Sequence, residues 1–281
     1  MKQFTTLLAA SLLLSACTTN TKPQTSETET ETNPNVVTLS DGSTQVYWVK
    51  DNPDNKLMER TLFPDASDSL LAELGLTEGI PASISTFVMK CEGEWTLFDT
   101  GLGVTRGGQL LQGLAELGLT PDSIGIIYLT HFHGDHIGGM VQEGQPVFAN
   151  AQVYAGQREY DAWINEMPKE QTGMQQEAMQ VYAQQLHLFQ FGDTLPHDVI
   201  TIDAVGHTPG HTAFQKANLL VIGDLMHGAA LQTVHPEISG NYDMDKAQAA
   251  ESRKRILQYA QDNKLVMAGM HLPEPAFIQN K

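Results

Sequence analysis

Between residues 85 and 271, short apolar runs alternate with polar turns, a pattern that predicts a mixed α/β fold. The runs STFVMKC (Ser85 to Cys91) and EWTLFDT (Glu94 to Thr100) are rich in β-forming residues and flank Glu92-Gly93, which predicts a β-hairpin. Leucines at helical spacing in GGQLLQGLAELGL then predict a helix that follows two glycines. The hairpin and the helix are therefore expected to be consecutive units of a layered structure.

The later runs continue this pattern. Strands are predicted for IGIIYLT, AQVYAG, VITIDAVG, TAFQKA, NLLVIGD and KLVMAGMH. The Gln- and Met-rich stretch from Gln157 to Leu186 predicts two helices, and Met244 to Asn263 predicts a long helix with Ile256, Tyr259 and Ala260 on its apolar side. Because strands and helices do not alternate strictly and many turns are short, the pattern favours stacked sheets that are flanked by helices.

The chain begins with a segment that is typical of bacterial lipoproteins. Lys2 is followed by an apolar run that is too short to span a bilayer, and this run ends in LSAC. We expect a signal peptide at residues 1–16 and a lipid anchor on Cys17, with a plain signal peptide as the alternative. Residues 17–35 carry no large apolar side chain and predict a disordered tether. The expected location is the bacterial cell envelope, with the protein anchored to the outer membrane or the cell surface.

The composition limits the partners of the remaining domain, residues 36–281. Of the 281 residues in the chain, 41% are hydrophobic, which is sufficient for a large core. The net charge of −17 opposes binding to phosphate backbones, so no nucleic acid partner is expected. If Cys17 carries a lipid, only Cys91 remains, so no disulfide can form within the chain. Cys91 is predicted to be a small core side chain.

Histidines and aspartates occur where predicted strands end. HFHGDHIGG follows IGIIYLT, His207 directly follows VITIDAVG, and two later strands end in Asp224 and His271. The candidate metal ligands are His131, His133, Asp135, His136, His207, Asp224 and His271. Strand ends that meet at one edge of a sheet would hold these side chains together on rigid backbone. Histidines with purely structural roles are the alternative interpretation.

Five imidazoles and two carboxylates exceed the ligands that one tetrahedral ion uses, so they would suit two divalent ions that share a carboxylate. A donor set without thiolate fits catalytic zinc, manganese or iron, and zinc is the expected metal. Two such ions would supply a bridging hydroxide as the nucleophile for hydrolysis.

These motifs resemble those of the metallo-β-lactamase fold. HFHGDH has the H-x-H-x-D-H signature of that fold, and GHTPGHT, IGD and GMH are similar to its later histidine, bridging aspartate and last histidine motifs. LLVIGDLMHGAALQTVHPEI, the long helix and VMAGMHLPEP look most like the branch that contains methyl parathion hydrolase and related lactonase-like enzymes. The resemblance covers most of Val46 to Phe277 and implies an αββα sandwich with a dinuclear site at one edge.

The resemblance also assigns the ligands to two ions. One ion would be bound by His131, His133 and His207. The second would be bound by Asp135, His136 and His271, with Asp224 bridging the two. Asp135 is also the candidate catalytic residue, which would orient the nucleophile and pass a proton to the leaving group.

Several residues near these motifs have two interpretations. Asp99 in LFDTG is expected to brace the metal loop or to cap a turn, and His211 to support the ligands or to pack. His187, His197, His227 and His235 are interpreted as structural, with substrate contact as the alternative for the last two. The segment 157–186 is expected either to cover the site or to pack in the core through Tyr160, Trp163, Met167, Met174 and Met179.

The predicted function is that of a dinuclear metal-dependent hydrolase acting on an ester, lactone, β-lactam or phosphotriester-type small molecule. The sequence after His271, LPEPAFIQNK, is shorter than in the proteins it resembles, so either a more open site or a partner that completes the site is expected. The alternative function is therefore that of a metal-bearing binding or scaffold lipoprotein with an incomplete hydrolytic pocket.

Overall fold

The computed structural model describes Met1 and residues 33–279. A compact unit begins at Asn33. The predicted signal peptide, Cys17 and the tether up to residue 32 lie outside the described residues, apart from Met1. Within the described part of the chain, no helix is both long enough and apolar enough to cross a bilayer.

The strands are β1 (Val36–Thr38), β2 (Gln45–Lys50), β3 (Lys56–Met58), β4 (Ile80–Ala82), β5 (Ser85–Cys91), β6 (Glu94–Phe98), β7 (Ile124–Tyr128), β8 (Val141–Gln142), β9 (Gln145–Pro146), β10 (Gln152–Gly156), β11 (Leu186–Phe189), β12 (Thr194–Leu195), β13 (Val199–Asp203), β14 (Thr212–Lys216), β15 (Leu219–Gly223), β16 (Val266–Gly269) and β17 (Phe277–Gln279). The α-helices are α1 (Asp68–Glu73), α2 (Leu110–Glu116), α3 (Gly134–Ile137), α4 (Gln157–Tyr160), α5 (Gly173–Val181), α6 (Ala229–Gln232) and α7 (Lys246–Asp262).

Two sheets form the centre of the fold. The larger sheet has the strand order β1-β2-β5-β6-β7-β10-β11, and the smaller sheet has the order β12-β13-β14-β15-β16-β17. In the larger sheet, β2, β5 and β6 are antiparallel neighbours, whereas β6, β7, β10 and β11 run parallel to one another. The strands β3 and β4 pair separately, as do β8 and β9.

The larger sheet is buried on both faces. In β5, Phe87 and Met89 belong to one core cluster and Val88 belongs to another, because successive side chains of a strand point to opposite faces. The first cluster also contains Phe214 of β14, so it fills the space between the two sheets. The second cluster contains Leu114 of α2, so helices cover the outer face.

Helix α7 completes the layers by contributing Ile256 and Ala260 to the cluster that contains the smaller sheet. The αββα sandwich is therefore confirmed, and so is the hairpin, in which Cys91 pairs with Glu94. The predicted position of Tyr259 is wrong. Its side chain is exposed, and its hydroxyl donates a hydrogen bond to Gln215 Oε1 at 2.7 Å.

One region differs from the sequence prediction, and another forms a strand for which no prediction was made. The segment from residue 157 forms α4, a π-helical turn (Asp161–Glu166) and α5, and Leu186 begins β11 rather than ending a helix. After His271, β17 pairs with β16 and forms the edge of the smaller sheet. Cys91 is a free thiol that is buried in the core, as predicted.

Candidate metal centre

The ends of four strands converge on one site. The loop after β7 carries His131 and His133, and α3 directly continues it with Asp135 and His136. From the smaller sheet, His207 lies in the turn after β13, Asp224 directly follows β15, and His271 lies two residues after β16. The structure therefore brings the seven predicted ligands together from both sheets, and each has a potential ligand atom in a compact donor group.

Three imidazoles form the first part of the site, which we call the three-histidine half: His131, His133 and His207. His131 Nε2 lies 3.1 Å from His133 Nδ1 and 3.2 Å from His207 Nε2, and the remaining pair is 2.9 Å apart. The ring planes cross at 84–87°, so each ring directs a nitrogen toward a common point. Two ligands at the Zn–N distance of about 2.05 Å in a tetrahedral shell are separated by roughly 3.3 Å, close to these spacings.

The second part, the aspartate half, consists of Asp135, His136 and His271. Asp135 lies 3.9 Å from His136 Nε2 through Oδ1 and 3.4 Å from His271 Nε2 through Oδ2. The two histidines are buried, whereas the side chain of Asp135 is 25% exposed. The aspartate half therefore has one ligand candidate that reaches solvent.

Asp224 lies between the two halves. Its Oδ2 is 3.3 Å from His207 Nε2 and 3.0 Å from His271 Nε2, and its Oδ1 is 3.1 Å from His136 Nε2. One carboxylate thus reaches ligand candidates on both sides, as a bridging aspartate must.

The donor atoms fit a pair of divalent cations. His136 Nδ1 lies 2.7 Å from Asp99 Oδ2, so it can donate its proton there and leave Nε2 as a bare lone pair that faces Asp224 Oδ1. His136 Nε2 and Asp224 Oδ1 are both buried, and neither has a hydrogen-bond partner among the described residues. Two acceptors that face each other repel unless a positive charge lies between them. A metal cation, or an added proton, would remove that repulsion.

The outer nitrogens of two further histidines, His207 and His271, are also engaged. His207 Nδ1 lies 3.1 Å from Asp243 Oδ1, and His271 Nδ1 donates to the carbonyl of Ser83 at 2.9 Å. Partners of this kind fix the tautomer and the ring orientation of a metal-binding imidazole. The inner nitrogens are consequently free to act as ligands.

The charges around the site affect the protonation of its histidines in different ways. Burial, and to a smaller extent the neighbouring His207, lower the pKa of His133 to about 3, so the His133 imidazole is neutral near pH 7. Burial by itself also lowers the pKa of His271, but Asp224 and Asp135 outweigh that effect and raise it to about 10. Neutral imidazoles bind metals directly, and the aspartate half draws positive charge.

Asp99 braces the metal loop. It is fully buried and has a φ of 59°, a left-handed conformation that is uncommon outside glycine. Its carboxylate accepts hydrogen bonds from Thr130 N at 2.8 Å and Thr130 Oγ1 at 2.7 Å in addition to its contact with His136. This geometry matches the bracing role expected from the sequence, because one side chain ties a ligand to the residue that precedes the histidine cluster.

His211 supports the bridging carboxylate. Its Nδ1 donates to the carbonyl of Ala204 at 2.9 Å, and its Nε2 accepts a hydrogen bond from the backbone N–H of Asp224 at 3.0 Å. A Cβ at Gly223 would collide with the His211 ring, and Gly223 has a φ of 52°. Glycine at position 223 therefore permits the turn that places Asp224 at the strand end.

Glu159 was not predicted from the sequence, although it connects two ligand loops. Its buried carboxylate accepts hydrogen bonds from the backbone N–H of Phe132, at 2.9 Å, and of Gly210, at 2.8 Å. It also accepts from Trp163 Nε1 at 2.7 Å and Thr208 Oγ1 at 2.8 Å. Because Phe132 separates His131 from His133, Glu159 holds the backbone of the three-histidine half.

A second unpredicted support is the buried ion pair of Arg253 and Asp243. Arg253 Nη2 lies 3.1 Å from Asp243 Oδ2, and the other oxygen of that carboxylate contacts His207. The guanidinium also donates to the carbonyl oxygens of Leu225, at 2.8 Å, and Pro236, at 2.8 Å. Helix α7 is thereby connected to a ligand of the three-histidine half.

A cavity of about 550 Å³ opens onto the site, a volume that accommodates a small-molecule ligand. Its described lining includes Lys56, Met58, Ile84, Leu102, Arg106, Asn241 and Tyr242 together with members of both halves. None of the described lining residues comes from the segment 157–186, although Met174 Sδ of that segment lies 3.5 Å from the position of a Cβ at Gly134, which lines the cavity. Trp163 instead packs edge-on against His133 from the core, with the ring centroids 5.6 Å apart.

The other histidines separate into two groups. His227 is buried beside the site, with Nε2 3.2 Å from Asp224 Oδ2 and its ring stacked on His271 at 5.0 Å. It also lines the cavity, which favours the alternative of substrate contact. His187, His197 and His235 pair with Gln152, Glu94 and Glu237 respectively, and none of them lines the cavity.

Comparison with known proteins finds relatives by sequence and by structure. A probable metallo-hydrolase of Methanocaldococcus jannaschii is 26% identical over 149 residues, which are 52% of this chain and 58% of that protein. The alignment thus spans less than two thirds of that relative. The solved structure of AbOPH, a hydrolase in the β-lactamase superfamily, is 26% identical in sequence and superposes with a TM-score of 0.76. That comparison covers 89% of this chain and 94% of the AbOPH chain.

A second solved structure is AidC, a dizinc quorum-quenching lactonase in complex with a homoserine product, which is 27% identical with a TM-score of 0.76. That comparison covers 86% of this chain and 91% of AidC. The family model described as the metallo-beta-lactamase superfamily matches residues 79–271, a range that contains all seven predicted ligands and more than half of the chain. This protein therefore belongs to the metallo-β-lactamase superfamily.

Proposed function

We propose that the protein is a hydrolase that holds two divalent metal ions, with zinc as the expected metal, and cleaves small carboxylic esters or lactones. The observation that carries this proposal is the convergence of the three-histidine half and the aspartate half on Asp224, whose oxygens lie 3.0–3.3 Å from His136, His207 and His271. One ion would be held by the three-histidine half, the other by the aspartate half, and Asp224 would serve both.

The bound cations would lower the pKa of a shared water and polarise the substrate oxygen. The chain's own residues would supply the rest of the mechanism. Asp135 lines the cavity and is partly exposed, so it is placed to orient the nucleophile and to pass a proton to the leaving group. His227 and Tyr242, whose ring centroids are 5.5 Å apart, would form the wall against which the substrate lies.

Lactones and esters rank first because of the relatives. AidC is a lactonase, and its likeness to this chain exceeds one of fold alone. The branch with methyl parathion hydrolase that the motifs resemble keeps phosphotriesters as the next class, and β-lactams follow. The same nucleophile can attack each of these, so the cavity and not the metal centre determines the choice.

The experiment is a metal analysis and an activity panel on one preparation of the full chain. We expect about two metal ions per chain and turnover of a chromogenic lactone or ester that a chelator abolishes and added zinc restores. His207→Ala should lose metal and turnover together. His187→Ala is the matched control, since this histidine lies outside the site and should leave both unchanged.

Other outcomes decide against the proposal in different ways. Two metal ions without turnover on lactone, ester, phosphotriester or β-lactam substrates would favour the alternative, a metal-bearing binding protein. The absence of metal after reconstitution would refute the ligand assignment itself.

We also propose anchoring to the cell envelope through Cys17, on the basis of the sequence. Labelled fatty acid should be incorporated into the native chain and not into Cys17→Ser, which should move from the membrane fraction to the soluble fraction. Equal labelling of the two proteins would exclude a lipid on this residue.

A further inference from the structure

Two cations line the cavity beside the metal centre. Lys56 lies on β3, and Arg106 lies in the turn between β6 and α2. The cavity carboxylates among the described residues are Asp135 and Asp224, and both belong to the candidate metal centre. Since two divalent ions would more than offset those two charges, the loaded cavity would carry a net positive charge in a chain of net charge −17.

Among the described residues, these two cations also lack partners. Nine of the thirteen described lysines and arginines have a carboxylate, another oxygen acceptor or an aromatic ring as a partner. Within the described residues, the cations without such a partner are Lys56, Arg106, Lys169 and Lys264. That two of these four line one cavity argues for an anionic ligand, because most cations of this acidic chain do find partners.

Arg106 is presented by a fixed loop. The carboxylate of Asp51 accepts backbone hydrogen bonds from Leu102 at 2.6 Å, Gln109 at 2.7 Å and Leu110 at 2.7 Å, so it closes the loop that contains Arg106. A Cβ at Gly134 would collide with Arg106 Nη1. The guanidinium therefore lies directly against the residue between His133 and Asp135, within reach of a substrate held at the metal centre.

Lys56 joins the cavity lining from the strand pair β3 and β4. It pairs with Ala82 across β3 and β4, and the carbonyl of the next residue, Ser83, holds His271 Nδ1. Arg106 thus lies next to the loop from the larger sheet, whereas the strand pair that carries Lys56 is linked to the ligand after β16 through the carbonyl of Ser83. An anionic group between them would meet one planar guanidinium and one ammonium.

We propose that Lys56 and Arg106 form a binding site for a carboxylate or similar anion on the substrate, separate from the bond that is cleaved. The inference rests on the proposed function for its substrate class: small esters or lactones with an anionic group at the far end of the acyl chain. It assigns a binding role to two side chains outside the metal centre.

The test uses the metal-loaded full chain and two esters of equal length. The mono-4-nitrophenyl ester of adipic acid carries a carboxylate where 4-nitrophenyl hexanoate carries a methyl group. We expect a higher kcat/KM for the adipate ester. Lys56→Gln and Arg106→Gln should each lower the adipate-to-hexanoate ratio about 2- to 5-fold, the range of partly exposed charge pairs, and the double variant should lower it further.

Lys254→Gln is the matched control, because it removes the same charge from an exposed position on α7. This variant should keep the wild-type ratio. A wild-type ratio near one that neither substitution changes would overturn the inference and leave the hydrolase proposal intact.

A binding measurement separates the two proposals. Calorimetry should show tighter binding of adipate than of hexanoate, since each offers one carboxylate to the metal centre and only adipate has a second. The double variant should abolish this difference. If neither ester is hydrolysed, the proposed function fails, and the calorimetry decides the inference alone: equal binding of the two acids by the native protein would overturn it.

Discussion

The two halves of the candidate metal centre differ in what surrounds them. The three-histidine half is braced by two buried carboxylates, because Glu159 holds its backbone and Asp243, paired with Arg253, contacts His207. The aspartate half opens to the cavity through Asp135, which is 25% exposed. Members of both halves line the cavity, so the halves differ in the side chains that they present there: imidazoles in the three-histidine half and a partly exposed carboxylate in the aspartate half. Under the proposed function, this carboxylate meets the substrate. The variants below test that division.

The largest effect is expected in the open half. Asp135→Asn removes the proposed proton carrier and should lower kcat/KM about 10²- to 10⁴-fold, while the three-histidine half keeps its metal. Steady-state kinetics combined with metal analysis measures both quantities. Asp262→Asn, at the end of α7, is the control. A near wild-type rate with full metal content would refute a catalytic role for Asp135.

The next largest effect is expected in the braced half. Arg253→Met leaves the Asp243 carboxylate buried without its partner, which should lower the free energy of unfolding by about 3–5 kcal/mol. Urea denaturation of the metal-free protein measures this loss. Arg255→Met, which changes an exposed neighbour on the same helix, should cost far less. If both variants lowered the free energy of unfolding equally, the buried ion pair would contribute no more to stability than an exposed arginine does.

Glu159→Gln should have a smaller effect on the same half. The amide retains the shape of the side chain, but its N–H₂ group faces donors that the carboxylate accepted from. Loss of these charge-assisted hydrogen bonds should reduce stability by about 1.5–3 kcal/mol. Glu170→Gln, in an exposed turn, is the control. An unchanged denaturation midpoint for Glu159→Gln would show that the two ligand loops do not depend on this carboxylate.

The smallest effect tests the region behind the centre. Met174 lies on α5 and is 39% exposed, and this segment does not line the cavity. Met174→Ala should therefore change kcat/KM by less than about 2-fold, as is usual for surface substitutions. A large change in KM for this variant would restore the idea that the segment covers the site.

The sequence was sufficient for the ligand candidates because their signal is local. Each of the seven lies at the end of a predicted strand or within a few residues after it, so the sequence alone identified them as candidates, although the strands belong to two sheets and not to one. The supports could not be predicted in this way. Glu159 contacts Phe132 and Gly210, which are 27 residues before it and 51 residues after it, and nothing around it in QREYDAW marks such a role.

The same reason explains the missed cations and the misplaced aromatic residue. Lys56 and Arg106 lie in segments with weak periodicity, and only the packed loops bring them to one cavity. Tyr259 has a helical spacing that suits a core position, yet its ring lies at the surface, where its hydroxyl reaches Gln215. Apolar spacing identifies which face of a helix packs on the sheet. It does not show whether a residue on that face lies over the sheet or beyond its border.

The contribution of ligand candidates by both sheets has a thermodynamic consequence. Bound cations would link the two sheets, because the ligand candidates follow β7 in the larger sheet and β13, β15 and β16 in the smaller sheet. Unfolding of either sheet would release the cations. Metal binding would then add about 2.7 kcal/mol to the free energy of unfolding at a free metal concentration 100 times Kd. The melting temperature of this protein should consequently report the metal supply of the compartment in which it works.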